Sequence, residues 1–281
     1  MVFPRKPEIV CIGAQKAGTT WLHKVFGARS DIWVPPFKEL HFFDHKFVPE
    51  NRNWTHGHIR KAVARARKRH LTSTDTPDLQ LLDYFSRMER EPMFNGQWYK
   101  YAFSIAPLDA LCLDVTPAYS ILPDKGVEFV AKFLPKTKFI FIVRSPVERA
   151  LSQLRMDASR SKNIPKNEDE WIALFNKRRN DIIIRSDYIG NISRWQNAFN
   201  PDRLLFIPFG LIGQAPQAFL SEIEKFLILP AVRYPGSEEK VFKTRPINIP
   251  RVVEQELRHA LKDQVDFLRA RFGDDFFQMS R

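Results

Sequence analysis

The chain alternates short apolar runs with segments of helical period. Ile9-Val10-Cys11-Ile12 is a continuous apolar run that stops at Gly13, and Phe139-Ile140-Phe141-Ile142-Val143 is the strongest such run. Neither alternates with period two, so both are read as strands buried on two faces, as in a parallel sheet. Ile32-Trp33-Val34, halted by Pro35-Pro36, adds a shorter strand, as do Leu111-Cys112-Leu113 and Leu204-Leu205-Phe206-Ile207. Trp21, Leu22, Val25 and Phe26 fall at helical spacing after the first strand. Val147, Ala150, Leu151 and Leu154 do the same behind Pro146, a residue favoured in a first helical turn because its missing N–H would have no partner there. Helical patterns also cover 168–199, as two helices, then 215–227 and 250–271. Arg60–Arg69 reads as a basic helix with a solvated face, and 71–110 shows only weak periodicity. Strands alternating with helices predict an α/β fold, a single domain over residues 1–281 with a central parallel sheet flanked by helices.

A length of 281 residues is enough for one sizeable core, and 44% apolar with 27% charged residues is ordinary for a globular chain. The 24 phenylalanines point to an aromatic core. A net charge of +12 changes the picture more, because it calls for an anionic partner: nucleic acid, a membrane surface, or phosphorylated or sulfated small molecules. Cys11 and Cys112 both lie in strand-like runs and read as buried thiols. No metal-ligand spacing stands out, there is no apolar leader, and no run of 18 apolar residues occurs. The expectation is a soluble, cytoplasmic chain without a transmembrane segment or a metal.

The candidate chemistry starts at Gly13-Ala14-Gln15-Lys16-Ala17-Gly18-Thr19-Thr20-Trp21. Strand, glycine turn and helix start form a P-loop-like phosphate-binding loop, in which backbone N–H groups and the positive end of a helix dipole meet an anion. Gly13 and Gly18 keep the glycine spacing of nucleotide triphosphatases. The lysine does not follow: Thr19 stands in its place and Lys16 sits inside the loop, which argues against a Mg²⁺-dependent ATPase or kinase. That reading, and a basic nucleic-acid-binding protein, are the alternatives; neither explains the second motif, Arg144 at the end of a buried strand with Ser152 on the helix behind it. An arginine there supplies a permanently charged fork matched to phosphate oxygens.

Residues 15–21 resemble the 5′-phosphosulfate loop of sulfotransferases that use 3′-phosphoadenosine 5′-phosphosulfate (PAPS), with Gln15 and Ala17 as departures. The resemblance implies that Lys16, Ala17, Gly18, Thr19, Thr20 and Trp21 bind this co-substrate and that Arg144 and Ser152 hold its 3′-phosphate. It also implies that Lys243 and Arg245 close over the nucleotide, that adenosine 3′,5′-bisphosphate (PAP) is the product, and that no metal is needed. Lys38-Glu39-Leu40-His41-Phe42-Phe43-Asp44 resembles a segment of heparan-sulfate-type sulfotransferases and their bacterial relatives, in which Glu39 would be the base. Lys38 would orient the sulfuryl group or the base. His41 is the rival base, since cytosolic small-molecule sulfotransferases use a histidine; Lys38–Glu39 as a plain surface ion pair is the third reading. Asp114-Val115-Thr116-Pro117-Ala118-Tyr119 resembles a further family segment, offering Thr116 and Tyr119 as pocket residues. Val115 replaces a family lysine there, which argues against a heparan-like acceptor. Arg149 divides between a solvated helix position and a site role, whereas Trp195 and Phe199 are read as core. The expected activity is sulfuryl transfer to a hydroxyl or amine of a glycan, a lipid headgroup, a peptide or a small alcohol, with no nucleic-acid partner and with oligomeric state open.

Overall fold

The computed structural model describes residues 4–161, 164–237 and 247–281. Five strands form one all-parallel sheet flanked by helices: β1 (Ile9–Gly13), β2 (Ile32–Trp33), β3 (Leu111–Val115), β4 (Lys138–Val143) and β5 (Leu204–Pro208), in the order β2-β3-β1-β4-β5. Every residue of β1 is buried, and so is β4 from Phe139 to Val143. Their unbroken apolar sequences fit strands covered on both faces. Pairing is in parallel register, Ile9 with Leu113 and Cys11 with Val115, and on the next strand Ile32 with Leu111. The chain runs out from β1 to β2, returns to β3, and places β4 on the other side of β1. Strand order therefore reverses at β1, the topology at which open α/β sheets bind ligands beyond their carboxyl ends.

The chain divides into two compact units. One comprises the residues up to Gly13, Thr20–Ile140 and Ala198–Leu205; the other comprises Ala14–Thr19, Phe141–Asn197 and Phe206–Arg281. The first unit absorbs much of the phenylalanine content. Phe42 stacks on Tyr99 at 4.7 Å between ring centres, Phe43 meets Tyr119 edge-on at 5.0 Å, and Phe129 stacks on Phe133. In the second unit the apolar stripe Val147, Ala150, Leu151, Leu154 and Ala158 of helix Pro146–Arg160 packs with Trp171, Phe175 and Ile182 of helix Glu168–Ser186 and with Val253 and Leu257 of helix Arg251–Ala260.

The structure sharpens three readings. The weakly periodic stretch 71–110 contains helices Leu79–Met88 and Gly96–Tyr101, each opened by an Asx cap: Asp78 accepts from the Gln80 and Leu81 amides, and Asn95 from those of Gln97 and Trp98. The pattern at 250–271 is two helices broken at Leu261, whose backbone leaves helical values at φ −110° and ψ 12°. Arg149 is completely buried rather than solvated. Trp195 and Phe199 are buried, as expected of core residues.

Candidate active site

Residues Ala14–Thr19 of the glycine loop read from the sequence as phosphate-binding lie in the second unit. β1 ends at Gly13, and the Ala14 amide donates to the Ile142 carbonyl of β4 at 2.9 Å, tying the loop's first residue to the neighbouring strand. The turn closes with the Ala17 amide on the Ala14 carbonyl, and helix Thr19–Phe26 begins one residue after Gly18. Two residues adopt left-handed backbone: Lys16 (φ 71°) and Gly18 (φ 77°). Gly18 needs this freedom twice over, since a Cβ built on it would also lie 2.5 Å from Ile212 Cδ1. Lys16 has no such licence, so its conformation stores strain of about 1 kcal/mol or more, a cost met chiefly at functional positions.

Arg144 offsets that strain. Leaving β4, it donates from Nη1 to the Lys16 carbonyl at 2.7 Å while its guanidinium lies 4.4 Å from the centre of the Phe209 ring. Its Nε is buried without a hydrogen-bond partner. The Arg144 carbonyl accepts from the Tyr188 hydroxyl at 2.8 Å, which fixes the backbone behind the fork. Burial lowers the Arg144 pKa. Burial likewise lowers that of Lys16, and the nearby cations Arg160, Arg144 and Arg149 add to the shift against Asp157. Two cations brought together and partly taken out of water, Lys16 and Arg144, are the kind of pair that attracts an anion. Ser152 is half-buried on helix Pro146–Arg160.

Arg149 has a different job. Nε donates to Ser186 Oγ, Nη1 to Gln153 Oε1 and Nη2 to the Ile182 carbonyl, at 2.7–2.9 Å, so it cross-links two helices. Burial drops its pKa to about 10.

The acceptor-side residues lie in the first unit. Glu39 and His41 both have left-handed backbone, φ 70° and 52°. Two bonds hold this turn: the Leu40 amide donates to Thr116 Oγ1 at 2.9 Å, and the Phe42 amide to the Tyr119 hydroxyl at 3.1 Å. Both hydroxyls pass their own hydrogens to the buried Asp114, Thr116 to Oδ1 at 2.7 Å and Tyr119 to Oδ2 at 3.1 Å; Tyr99 adds a third at 2.9 Å. Burial pushes the Asp114 carboxyl up to about 6 despite these donors.

On the turn, Lys38 Nζ donates to Glu39 Oε1 at 2.8 Å, and His41 Nε2 lies 3.2 Å from Glu39 Oε2. His41 Nδ1 pairs with Asp44 Oδ2 at 2.9 Å. Burial alone would raise the Glu39 pKa, but Lys38 and His41 hold it well below the usual carboxylate range. For His41, burial is outweighed by Asp44 and Glu39, which push the ring up to about 9. Lys38 and Glu39 are part-buried and locked into this network, which is more than a surface ion pair.

Lys16, Ala17, Gly18, Thr19, Arg144 and Ser152 thus share one unit; Lys38, Glu39, His41, Thr116 and Tyr119 share the other, as do Thr20 and Trp21 on the helix that follows the loop. Lys243 and Arg245 lie outside the described residues. Asp44 and Asp114 emerge as supports that the sequence reading did not single out. The i, i+3 spacing from His41 to Asp44 was a usable signal. His58, whose ring centre is 4.7 Å from that of His41, comes from helix Pro49–Ser73 and carried none.

A family model described as "Sulfotransferase family" matches residues 7–233. Among solved structures, a sulfotransferase from Alicyclobacillus acidocaldarius is similar with a TM-score of 0.63 and 18% identity, over 98% of this chain and 99% of that one. The sulfotransferase domain from the curacin biosynthetic pathway gives 0.51 and 13%, over 93% and 99%. Mouse SULT7A1, solved with PAP, gives 0.50 and 14%, over 99% and 88%. These likenesses are of fold. No curated protein matches the chain. Among the described residues, no helix is long and apolar enough to cross a membrane.

Proposed function

Because the chain belongs to the sulfotransferase family, we propose that it moves a sulfuryl group from PAPS to a hydroxyl or amine of its acceptor. The observation that carries this reading is the strained Lys16 turn, clamped through its carbonyl by Arg144. A loop built this way presents backbone amides, a helix start and an ammonium to one phosphate. The fold-level likeness to a sulfotransferase solved with PAP supports the choice of donor.

In the proposed reaction the acceptor's oxygen or nitrogen attacks sulfur, forming the new S–O or S–N bond. The bond from sulfur to the 5′-phosphate oxygen breaks, and PAP leaves with that electron pair. Lys16 balances the charge gathering on the departing oxygen. Arg144 and Ser152 are assigned to the 3′-phosphate. The acceptor's proton passes to Glu39. Glu39 is preferred to His41 because its side chain is 28% exposed against 2%, and His41 is committed to Asp44. Lys38 orients the carboxylate from its Oε1 side. We assign the protein to the reducing cytoplasm, in keeping with two buried free thiols.

Calorimetric titration with PAP tests the donor half: Lys16→Ala and Arg144→Ala should each weaken binding by about tenfold or more. With labelled PAPS and an acceptor panel, Glu39→Gln should bind PAP like the parent and lose most turnover. Unchanged PAP affinity in both loop variants would sink the assignment.

A further inference from the structure

Glu39, His41 and His58 each offer a ligand atom, all within 4.8 Å of one another. His41 is 2% exposed, and its buried Nε2 faces Glu39 Oε2 at 3.2 Å without the alignment of a hydrogen bond. Its other nitrogen, Nδ1, is spoken for by Asp44 Oδ2, which Asn51 Nδ2 holds in turn at 2.7 Å. His58 is arranged the same way. Its Nε2 lies 3.3 Å from the Lys38 carbonyl, which leaves Nδ1 as its remaining ring nitrogen. Histidines that ligate metals characteristically donate their second ring N–H to a carboxylate or a backbone carbonyl, which fixes the tautomer and aims the ring. Both patterns are present here, one on each histidine.

The donor set narrows the ion. Two imidazoles and one carboxylate, with a fourth position left to water, is a zinc set; magnesium and calcium prefer oxygen ligands throughout. Lys38 engages Glu39 through Oε1, while Oε2 faces His41. Tetrahedral zinc ligands stand roughly 3.4 Å apart, given metal–ligand bonds of about 2.1 Å. Glu39 Oε2 and His41 Nε2 already stand 3.2 Å apart, so the adjustment needed on binding falls to the His58 ring. The backbone is already committed, since Glu39 and His41 flank Leu40 in a turn tied down at both amides.

We propose that Glu39, His41 and His58 form a zinc site that switches the enzyme off. Zinc replaces the proton on His41 Nε2 and takes the carboxylate that the transfer reaction needs. The inhibition rests on the function proposed above; the binding does not.

Titrating the purified chain with zinc chloride in a calorimeter, without nucleotide, decides the binding. One equivalent should bind at micromolar concentration, and His58→Ala should weaken it by at least about tenfold. His56→Ala, whose ring contacts Glu91 instead, should leave it unchanged. Cobalt(II) should give the strong visible absorption of a four-coordinate site in the parent and lose it in His58→Ala. In turnover assays the parent should be inhibited by zinc and recover with a chelator, while His58→Ala turns over normally and resists zinc. A parent that binds no zinc, or a His58→Ala variant that binds it equally well, overturns the site. Binding without inhibition overturns the switch. Zinc binding by a protein that never transfers a sulfuryl group, even when zinc-free, removes the proposed function and leaves the site standing.

Discussion

Removing one oxygen atom from Tyr119 should uncouple the Glu39 turn from its support. The Tyr119 hydroxyl accepts from the Phe42 amide and donates to Asp114. In Tyr119→Phe the Phe42 N–H stays buried without a partner, costing about 1–3 kcal/mol, and a hydrogen bond to a charged group worth about 1.5–3 kcal/mol is lost. Stability should fall by about 3 kcal/mol at pH 8, where Asp114, with a pKa of about 6, is ionised. Tyr99→Phe is the matched control. It removes a donor from the same Asp114 oxygen but has no bond to the turn, so it should cost only about 2 kcal/mol. The two variants should separate in turnover. The left-handed residues 39 and 41 are held against strain of about 1 kcal/mol each, and freeing the Phe42 amide lets the turn relax. A displaced base should lower kcat by about tenfold or more in Tyr119→Phe and leave it nearly unchanged in Tyr99→Phe. Urea unfolding and steady-state kinetics on both proteins provide the comparison. Equal kcat in the two variants, with Tyr119→Phe clearly destabilised, would refute the claim that this hydroxyl positions Glu39.

Gly18→Ala places a methyl group against Ile212 on backbone at φ 77°, so it should cost about 2 kcal/mol and abolish tight PAP binding; Ile212→Ala should restore part of the stability but little of the affinity. Arg149→Ala leaves Gln153 Oε1 without its donor and opens a cavity between the two helices, while Ser186 keeps its bond to the Ile182 carbonyl; it should cost about 3 kcal/mol in urea unfolding with PAP affinity of the folded protein unchanged. The raised Asp114 pKa means that the folded state holds this proton more tightly than the unfolded chain. Its stabilisation is therefore complete below about pH 4 and is lost as pH rises through about 6. Unfolding free energies of the parent minus those of Asp114→Asn should fall by up to about 3 kcal/mol across that window, and a flat difference would contradict the raised value.

What the sequence made legible were features written in consecutive residues. β1 and β4 announce themselves because strands buried on both faces need unbroken apolar runs. The glycine loop from Gly13 to Trp21 is likewise a local string, and so is the turn from Lys38 to Asp44. Helices Leu79–Met88 and Gly96–Tyr101 were missed although Asp78 and Asn95 stood as caps, because one is only ten residues long and the other six. Arg149 stays open in the sequence between a solvated position and a site role for a related reason. A charged residue beside an apolar stripe is normally solvated, and only the partners from helix Glu168–Ser186, more than thirty positions away, make its burial tolerable. The Asp114 relay was hidden because its purpose lies in two backbone amides some 75 residues earlier in the chain.

Arg144 recognises position 16 by its main chain, and that has a practical corollary. Shape and charge are written there in separate places: the arginine dictates the bend through a carbonyl oxygen that any amino acid would supply, while the ammonium is carried only by the side chain. Replacement by glycine, which adopts this bend without penalty, would leave the loop's architecture standing and delete its positive charge alone. The protein thereby offers a direct way to weigh electrostatics against preorganisation within the single turn proposed to hold a phosphate.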